Sequence, residues 1–540
     1  MNPCKYWPLL AAFLLIGGKA EAAMDCAALA QVPLRDLRFN QPITAIKVTQ
    51  VPAAGDVPAH CRYEGMIRPA TRFVVKLPIT NWNRRFVEVG NGGAAGVVRE
   101  ESMPQFLQEG YATAGDSAGH LGDRPLFSFA YNPPDNSNPD AAQKLIDLGY
   151  RSIHESSHAA RKLIEAFYGA APVRAYYFGS SLGGRQGLKS AQTYPKDFDG
   201  WFILFPVLAI TDEGLAGVWN ARQTMLGEGA ITARKLPALA KAELARCDLV
   251  DGVADGLVSD PAACKFDARR DLPFCAPGQD NDDCFTAAQR EALARVYAGP
   301  ADSHGRPLFS GLAVGSAVFA PSTIPGTSNY VRGAPARSMW DGWVVARDNN
   351  DINTSVGGGY GASFMRSIVF QDPSWDWKNG DIDDYQQLAA RRGTYQTLDA
   401  LNADLSRARA AGAKIIHVDG WSDPLLSPYQ SVKYFESVRH KLGIAQTDSF
   451  YRLYMVPGLG HGPSAGPAEI GSHGMIADWV EVLRDWVEHG KAPGEVVASR
   501  APEVAAILGA LSRPLCPYPE MAVYNGTGDT HVAASFQCRK

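Results

Sequence analysis

The sequence predicts an α/β fold, a parallel sheet covered by helices on both faces, on three observations. Residues 70 to 205 alternate short β-rich runs with stretches of helical periodicity, the pattern of strand–helix–strand units. The same rhythm returns near the C-terminus. Finally, 46% of the 540 residues are apolar, enough to order a large core and to exclude a disordered chain. Charge narrows the partners further: 52 basic against 56 acidic residues, with no Lys/Arg block, builds no positive field to gather phosphates. Nucleic acid is therefore not an expected partner.

The chain opens as an export leader over residues 1–22. Lys5 supplies the positive region, Pro8 to Gly18 the apolar stretch, and Ala20-Glu21-Ala22 the small-x-small cleavage site. The apolar stretch is too short to span a bilayer of about 30 Å as a helix, and no later one reaches about 18 uninterrupted apolar residues. The expectation is an exported protein, periplasmic or secreted, that leaves the membrane once the leader is removed. Of nine cysteines, Cys4 departs with the leader, and the rest form an even set, as a disulfide framework requires. Loop closure costs less entropy between near neighbours. The predicted pairs are Cys26 with Cys61, Cys247 with Cys264, Cys275 with Cys284, and Cys516 with Cys538.

Strands are predicted over Arg72 to Leu77, Arg85 to Val89 and Ala175 to Phe178, with helices near Ile153 to Tyr168 and after Gly183. Lys414 to Val418 and Tyr451 to Val456 are further strands, each followed by Gly/Pro/Asp turn chemistry. Met475 to Glu488 reads as an amphipathic helix carrying Trp479 and Trp486. Residues 206–412 break the rhythm with four cysteines, the acidic stretch Asp280-Asn281-Asp282-Asp283, and Gly/Pro-rich runs at Gly326 to Pro335 and Gly357 to Gly359. They read as one large insertion dividing a single sheet domain into 23–205 and 413–540.

The sharpest chemical signal is Gly179-Ser180-Ser181-Leu182-Gly183, a G-x-S-x-G between an apolar strand and a helix. A nucleophile elbow turns so sharply that only small residues fit two positions either side of the serine. The Ser181 hydroxyl is a poor nucleophile until a neighbouring base takes its proton. In an α/β-hydrolase the acid and the histidine follow in that order, each on a turn after a later strand. Asp423, in Asp419-Gly420-Trp421-Ser422-Asp423-Pro424, and His461, in Pro457-Gly458-Leu459-Gly460-His461, satisfy that order. Asp419 competes as the acid and His473 as the base. The tetrahedral oxyanion needs main-chain donors: the Leu182 N–H is one, and Gly93, or else Gly92, in the glycine-rich loop after the Arg85 to Val89 strand is the other.

A second constellation runs Asp248-Leu249-Val250-Asp251-Gly252-Val253-Ala254-Asp255-Gly256-Leu257. Carboxylates this close repel unless a cation sits among them, and Ca²⁺ accepts carboxylate and carbonyl oxygens together. The candidate ligands are the side chains of Asp248, Asp251 and Asp255 and the carbonyls of Val253 and Leu257. Nothing suggests catalytic zinc, because no H-E-x-x-H occurs.

These motifs together resemble the bacterial and fungal tannase/feruloyl esterase family, which includes the hydrolase of mono(2-hydroxyethyl) terephthalate. The matching segments also include Asp116-Ser117-Ala118-Gly119-His120, His154 to Tyr168, Tyr194 to Gly200, Cys247 to Cys264 and Trp486 to Pro493, so they span essentially the whole mature chain. The resemblance implies an α/β-hydrolase core with a large lid inserted after the nucleophile strand. It also implies a structural calcium ion in that lid, no organic cofactor, and a serine esterase cleaving esters of aromatic acids. Feruloyl or other hydroxycinnamoyl esters lead, with gallate esters or monoesters of aromatic diacids as the alternatives. Leu426 stands where the terephthalate-monoester hydrolase has an aromatic clamp, which makes it a candidate for contact with the substrate ring. The sequence departs from the family at Ser180 and Gly462, where family members carry two cysteines joined in a bridge. The implied consequence is that His461 is held by packing and by Asp423 alone.

Overall fold

The computed structural model describes residues 24–122, 126–317, 319–320, 337–461, 469–470, 475–500, 502, 505–506 and 509–540. The leader, the run Gly326 to Pro335, Gly462 and His473 lie outside the described residues. Nine strands make the main sheet: β1 (Thr44–Val51), β2 (His60–Ile67), β3 (Thr71–Pro78), β4 (Arg85–Val89), β5 (Ala112–Asp116), β6 (Arg174–Ser180), β7 (Gly200–Leu204), β8 (Lys414–Gly420) and β9 (Tyr451–Val456). Their spatial order is β1-β2-β3-β5-β4-β6-β7-β8-β9. From β5 to β9 every pair is parallel, as predicted. At the other end β1, β2, β3 and β5 pair antiparallel, which the sequence reading did not foresee. The turn between Ile67 and Thr71 is only three residues long, and a parallel crossover needs a dozen or more.

The principal helices are α1 (Ser152–Tyr168), α2 (Leu182–Thr193), α3 (Ile210–Met225), α4 (Val356–Phe364), α5 (Tyr429–Leu442) and α6 (Trp479–His489). Strand alternation sorts the sheet side chains into two faces. Ala175, Tyr177, Trp201, Ile203, Ile415 and Leu453 pack with Leu163 and Phe167 of α1, Leu188 of α2 and Phe435 of α5. Tyr176, Phe178, Phe202, Leu204, Ile416 and Val418 pack with Trp479, Leu483 and Trp486 of α6. The helix expected from Met475 instead begins at Trp479, because Asp478 caps it, its side chain accepting the Glu481 N–H at 2.9 Å. Met475–Ile476 pairs with β10 (Val496–Arg500), which continues to β11 (Ser512–Leu515). A last hairpin, β12 (Met521–Tyr524) with β13 (Phe536–Arg539), follows.

All four disulfides join the predicted neighbours, with Cα separations of 5.4, 5.4, 4.9 and 5.5 Å in chain order. Such cross-links belong to an oxidising compartment. Among the described residues no helix is long and apolar enough to cross a membrane.

Between β7 and β8 the described residues add nothing to the main sheet. Apolar residues of α3 and α4 and of residues 365–385 gather with Ala94, Phe127, Leu182 and Leu426 into a separate buried cluster beside the nucleophile turn. The two ends of this stretch meet: the Ala400 N–H donates to the Leu208 carbonyl at 2.8 Å. A stripe on α2 holds the returning end. Arg185 donates to the Leu398 carbonyl at 2.6 Å, Lys189 to the Gln396 and Asp399 carbonyls at 2.6 and 2.7 Å, and Gln192 to the Ala400 carbonyl at 2.9 Å. Asp399 ties back to the outgoing end, accepting from the N–H and hydroxyl of Thr211 at 3.0 and 2.8 Å.

Burial raises the Asp399 carboxyl to about 7, against about 3.9 for an unfolded aspartate. Between those values the folded chain keeps a proton that the unfolded chain has lost, so stability falls as pH rises through this window. Urea midpoints are expected to be lower at pH 7.5 than at pH 5, and Asp399→Asn to reduce that difference.

Candidate active site

The turn from β6 to α2 places Ser181 at φ 57° and ψ −121°, a strained region that persists only where the surroundings over-determine it. They do so here. The Ser181 N–H donates to the Leu204 carbonyl at 2.9 Å, and its own carbonyl accepts from Arg185 and Val207 at 3.0 and 3.2 Å. A Cβ on Gly179 would lie 2.5 Å from the Gly183 carbonyl group, and one on Gly183 would lie 2.5 Å from the Asn91 carbonyl oxygen. Main chain therefore packs directly on main chain around the serine, and no side chain fits at either glycine.

The three residues predicted from far-apart turns come together. His461 Nε2 lies 2.9 Å from Ser181 Oγ, and Nδ1 lies 2.7 Å from Asp423 Oδ2. A carboxylate only accepts, so Nδ1 carries the hydrogen and Nε2 offers its lone pair to the serine hydroxyl. Asp423 is fully buried. Its second oxygen, Oδ1, accepts the main-chain N–H groups of Leu425 and Leu426, each at 2.8 Å. Asp419, the competing acid, has no bond to the imidazole: its oxygens accept from the Gly420 N–H at 2.7 Å and from the Ser431 hydroxyl. Burial, reinforced by the Asp423 charge, pushes the Asp419 carboxyl well above the usual range.

His461 is packed by two rings that sequence reasoning missed. The Phe205 centroid lies 4.8 Å from the imidazole, and Trp343 meets it edge-on at 5.7 Å. Phe205 directly follows β7, a position the strand pattern marks. Trp343 comes from the aperiodic insertion, where no motif distinguished it. Ser180 lines a cavity of about 40 Å³ with Phe106, Phe178 and Phe202.

For the oxyanion, Leu182 opens α2, where first-turn N–H groups lack helical partners. Of the two glycines offered by the loop after β4, Gly92 has its N–H committed to Asn91 Oδ1 at 2.6 Å. Gly93, at φ 61°, lies outside that bond. The loop is also held from its far side, where His120 Nε2 lies 2.8 Å from the Ala94 carbonyl oxygen and the ring stacks on Phe129. The Leu426 side chain is buried in the cluster that contains Leu182 and Ala94, while its N–H serves Asp423.

In the acidic loop, Asp248 Oδ1 accepts from the N–H groups of Asp255, Gly256 and Leu257 at 3.0, 3.0 and 3.3 Å. Asp251 accepts from the Val253 N–H at 3.1 Å and the Ser259 hydroxyl at 2.7 Å. Burial, with the Asp255 charge adding to it, raises both carboxyls. Arg513, remote in the chain and outside any motif, pairs with Asp255 Oδ2 at 2.8 Å. Among the described residues no three His, Cys, Asp or Glu side chains are arranged to hold a metal. Yet Asp255 Oδ1 is buried without a partner, an orphan acceptor that a hard cation would satisfy alongside the loop carbonyls. That orphan oxygen is the feature of the loop that would suit Ca²⁺.

Known proteins resemble this chain along nearly its whole length. The family model described as tannase and feruloyl esterase matches residues 55–539. An uncharacterised esterase of Xanthomonas campestris is 32% identical, covering 98% of this chain and 94% of that protein. A probable feruloyl esterase of Arthroderma benhamiae is 30% identical over 86% and 82% of the two chains. The crystal structure of feruloyl esterase B from Aspergillus oryzae shares the fold with a TM-score of 0.75 at 24% identity, covering 92% of this chain and 97% of that one. With a serine, a histidine and an aspartate in one relay and the family pattern running nearly end to end, the chain belongs to the tannase and feruloyl esterase family and is a carboxylic-ester hydrolase.

Proposed function

We propose that this chain is an exported serine esterase that cleaves esters of phenolic aromatic acids, feruloyl and other hydroxycinnamoyl esters foremost, through an acyl-enzyme on Ser181. The continuous hydrogen-bonded relay from Ser181 through His461 to Asp423 carries the reading. Ser181 Oγ bonds to the ester carbonyl carbon as its proton passes to His461 Nε2. The oxyanion takes the N–H groups of Leu182 and Gly93. Collapse expels the alcohol, which receives the proton from Nε2, and water repeats the sequence to free the acid. Asp423 stabilises the imidazolium throughout. The half-buried Trp343 ring, edge-on to His461, offers an apolar wall for an aromatic acyl group, with Leu426 behind the acid turn as a second contact. The 206–412 segment is the cover over this site.

Turnover of methyl ferulate, methyl gallate and a terephthalate monoester by the same preparation ranks the substrates, with ferulate expected first. A fluorophosphonate should label the wild type and not Ser181→Ala. Failure to label the wild type would sink the acyl-enzyme route, and a preference for gallate or the terephthalate monoester would replace the hydroxycinnamoyl assignment.

Asp248, Asp251, Asp255 and the carbonyls of Val253 and Leu257 are the residues that would hold Ca²⁺, whose contribution there is to neutralise buried carboxylates and fasten the loop. Chelation with EGTA is expected to lower the thermal midpoint by several degrees and added Ca²⁺, but not Mg²⁺, to restore it. A midpoint indifferent to chelation would remove calcium from this loop and leave Arg513 as its cation.

A further inference from the structure

The loop that supplies the second oxyanion donor has no helix or strand of its own to fix it. After β4 it runs Gly90-Asn91-Gly92-Gly93 across the first turn of α2. Gly90 donates its N–H to the Phe178 carbonyl at 2.8 Å and lies so close to α2 that a Cβ there would sit 2.7 Å from the Gly183 Cα. Asn91 bends the chain away. Its side-chain amide donates to the Val97 and Asp116 carbonyls at 2.9 and 3.3 Å, and its side-chain oxygen receives the Gly92 N–H. The Asn91 main-chain N–H, pointing back toward α2, is met by one group, the Gln186 side-chain oxygen, at 3.1 Å. Both residues are almost wholly buried, at 3% and 2% exposure. A main-chain N–H demands an acceptor, so the amide orientation of Gln186 is fixed by chemistry.

We infer that Gln186 is a positioning residue for ester hydrolysis: its side-chain oxygen, by holding the Asn91 N–H, sets the distance between the Gly93 donor on one loop and the Ser181–Leu182 turn on the helix. This rests on the oxyanion assignment made above. The two donors come from different elements, and the spacing between them decides whether both reach one oxygen. Gln186 sits one helical turn beyond Leu182, on the same rigid helix, and is the side chain that bridges to the loop. Its Nε2 is buried without a partner. A buried amide NH2 with both hydrogens unsatisfied is costly, and what the oxygen does accounts for it. Since an oxyanion hole acts on the transition state rather than on the bound ester, the loss should appear in kcat.

The test uses three variants of the full-length enzyme. Gln186→Met keeps the length and removes the acceptor; Gln186→Glu keeps an acceptor in the same place; Ser181→Ala is the blank. With methyl ferulate, Gln186→Met is expected to lose tenfold to a hundredfold in kcat with KM within twofold. Its affinity for an aryl trifluoromethyl ketone, which mimics the tetrahedral adduct, should fall in step with kcat/KM. Gln186→Glu should recover most of the loss. Undiminished kcat in Gln186→Met overturns the inference. So does a loss matched by Gln186→Glu, or one that follows the thermal midpoint rather than inhibitor affinity, since packing alone would then explain it. Ester turnover surviving Ser181→Ala would instead overturn the esterase mechanism on which the inference stands.

Discussion

Asp423→Asn is expected to lower kcat by about 10⁴-fold while leaving the fold intact. The size of the effect follows from which oxygen is already spoken for. Oδ1 accepts two main-chain N–H groups, from Leu425 and Leu426. An asparagine must keep its carbonyl oxygen there, because its NH2 group would face two donors. The NH2 is then driven to the position of Oδ2, facing His461 Nδ1. A donor at that point forces the imidazole to carry its hydrogen on Nε2, aimed at Ser181, and the serine loses its base. Asp419→Asn should leave kcat within a few-fold, since Asp419 is engaged by Gly420 and Ser431 instead. Steady-state kinetics of both variants beside their thermal midpoints decide the matter; equal losses in the two would mean the acid function is shared.

Arg185→Met is expected to be the most destabilising single change near the site, by about 3 kcal/mol or more. The guanidinium is fully buried and donates to the carbonyls of Leu148, Gly149 and Leu398 at 2.6, 3.0 and 2.6 Å. Methionine fills much of the space but takes the donor away from the buried Leu398 carbonyl and the second donor from the helical Leu148 and Gly149 carbonyls, where a buried acceptor left unsatisfied costs about 1–3 kcal/mol. Relief from burying a cation offsets part of this; burial already draws the Arg185 pKa down to about 10. Lys189→Met, which leaves the Gln396 and Asp399 carbonyls, should cost less. The shift in urea midpoint at constant m-value measures both, and an Arg185→Met midpoint equal to wild type would show that the carbonyls find other donors.

The parts of this molecule legible in the sequence were those with a local signature. Ser181 announced itself because the elbow needs glycines at fixed offsets, and Asp423 and His461 because each ends a strand in turn chemistry. The cysteine pairs were legible because neighbours close short loops. What escaped had no such mark. β5, Ala-Thr-Ala-Gly-Asp, lacks the β-branched run that signals a strand and owes its conformation to β3 and β4 on either side. Trp343 and Arg513 reach the site or the acidic loop through tertiary packing alone. Gln186 stood in plain view within the motif, but its role is visible only once Asn91 is seen to lie against it.

The long excursion between the seventh and eighth strands departs and returns at one spot, where Leu208 and Ala400 touch. A detour whose two feet share a doorstep transmits nothing about its own length to the scaffold beneath. The sheet can therefore hold its register whatever the span between those feet, while Trp343 within that span still reaches back onto the catalytic imidazole.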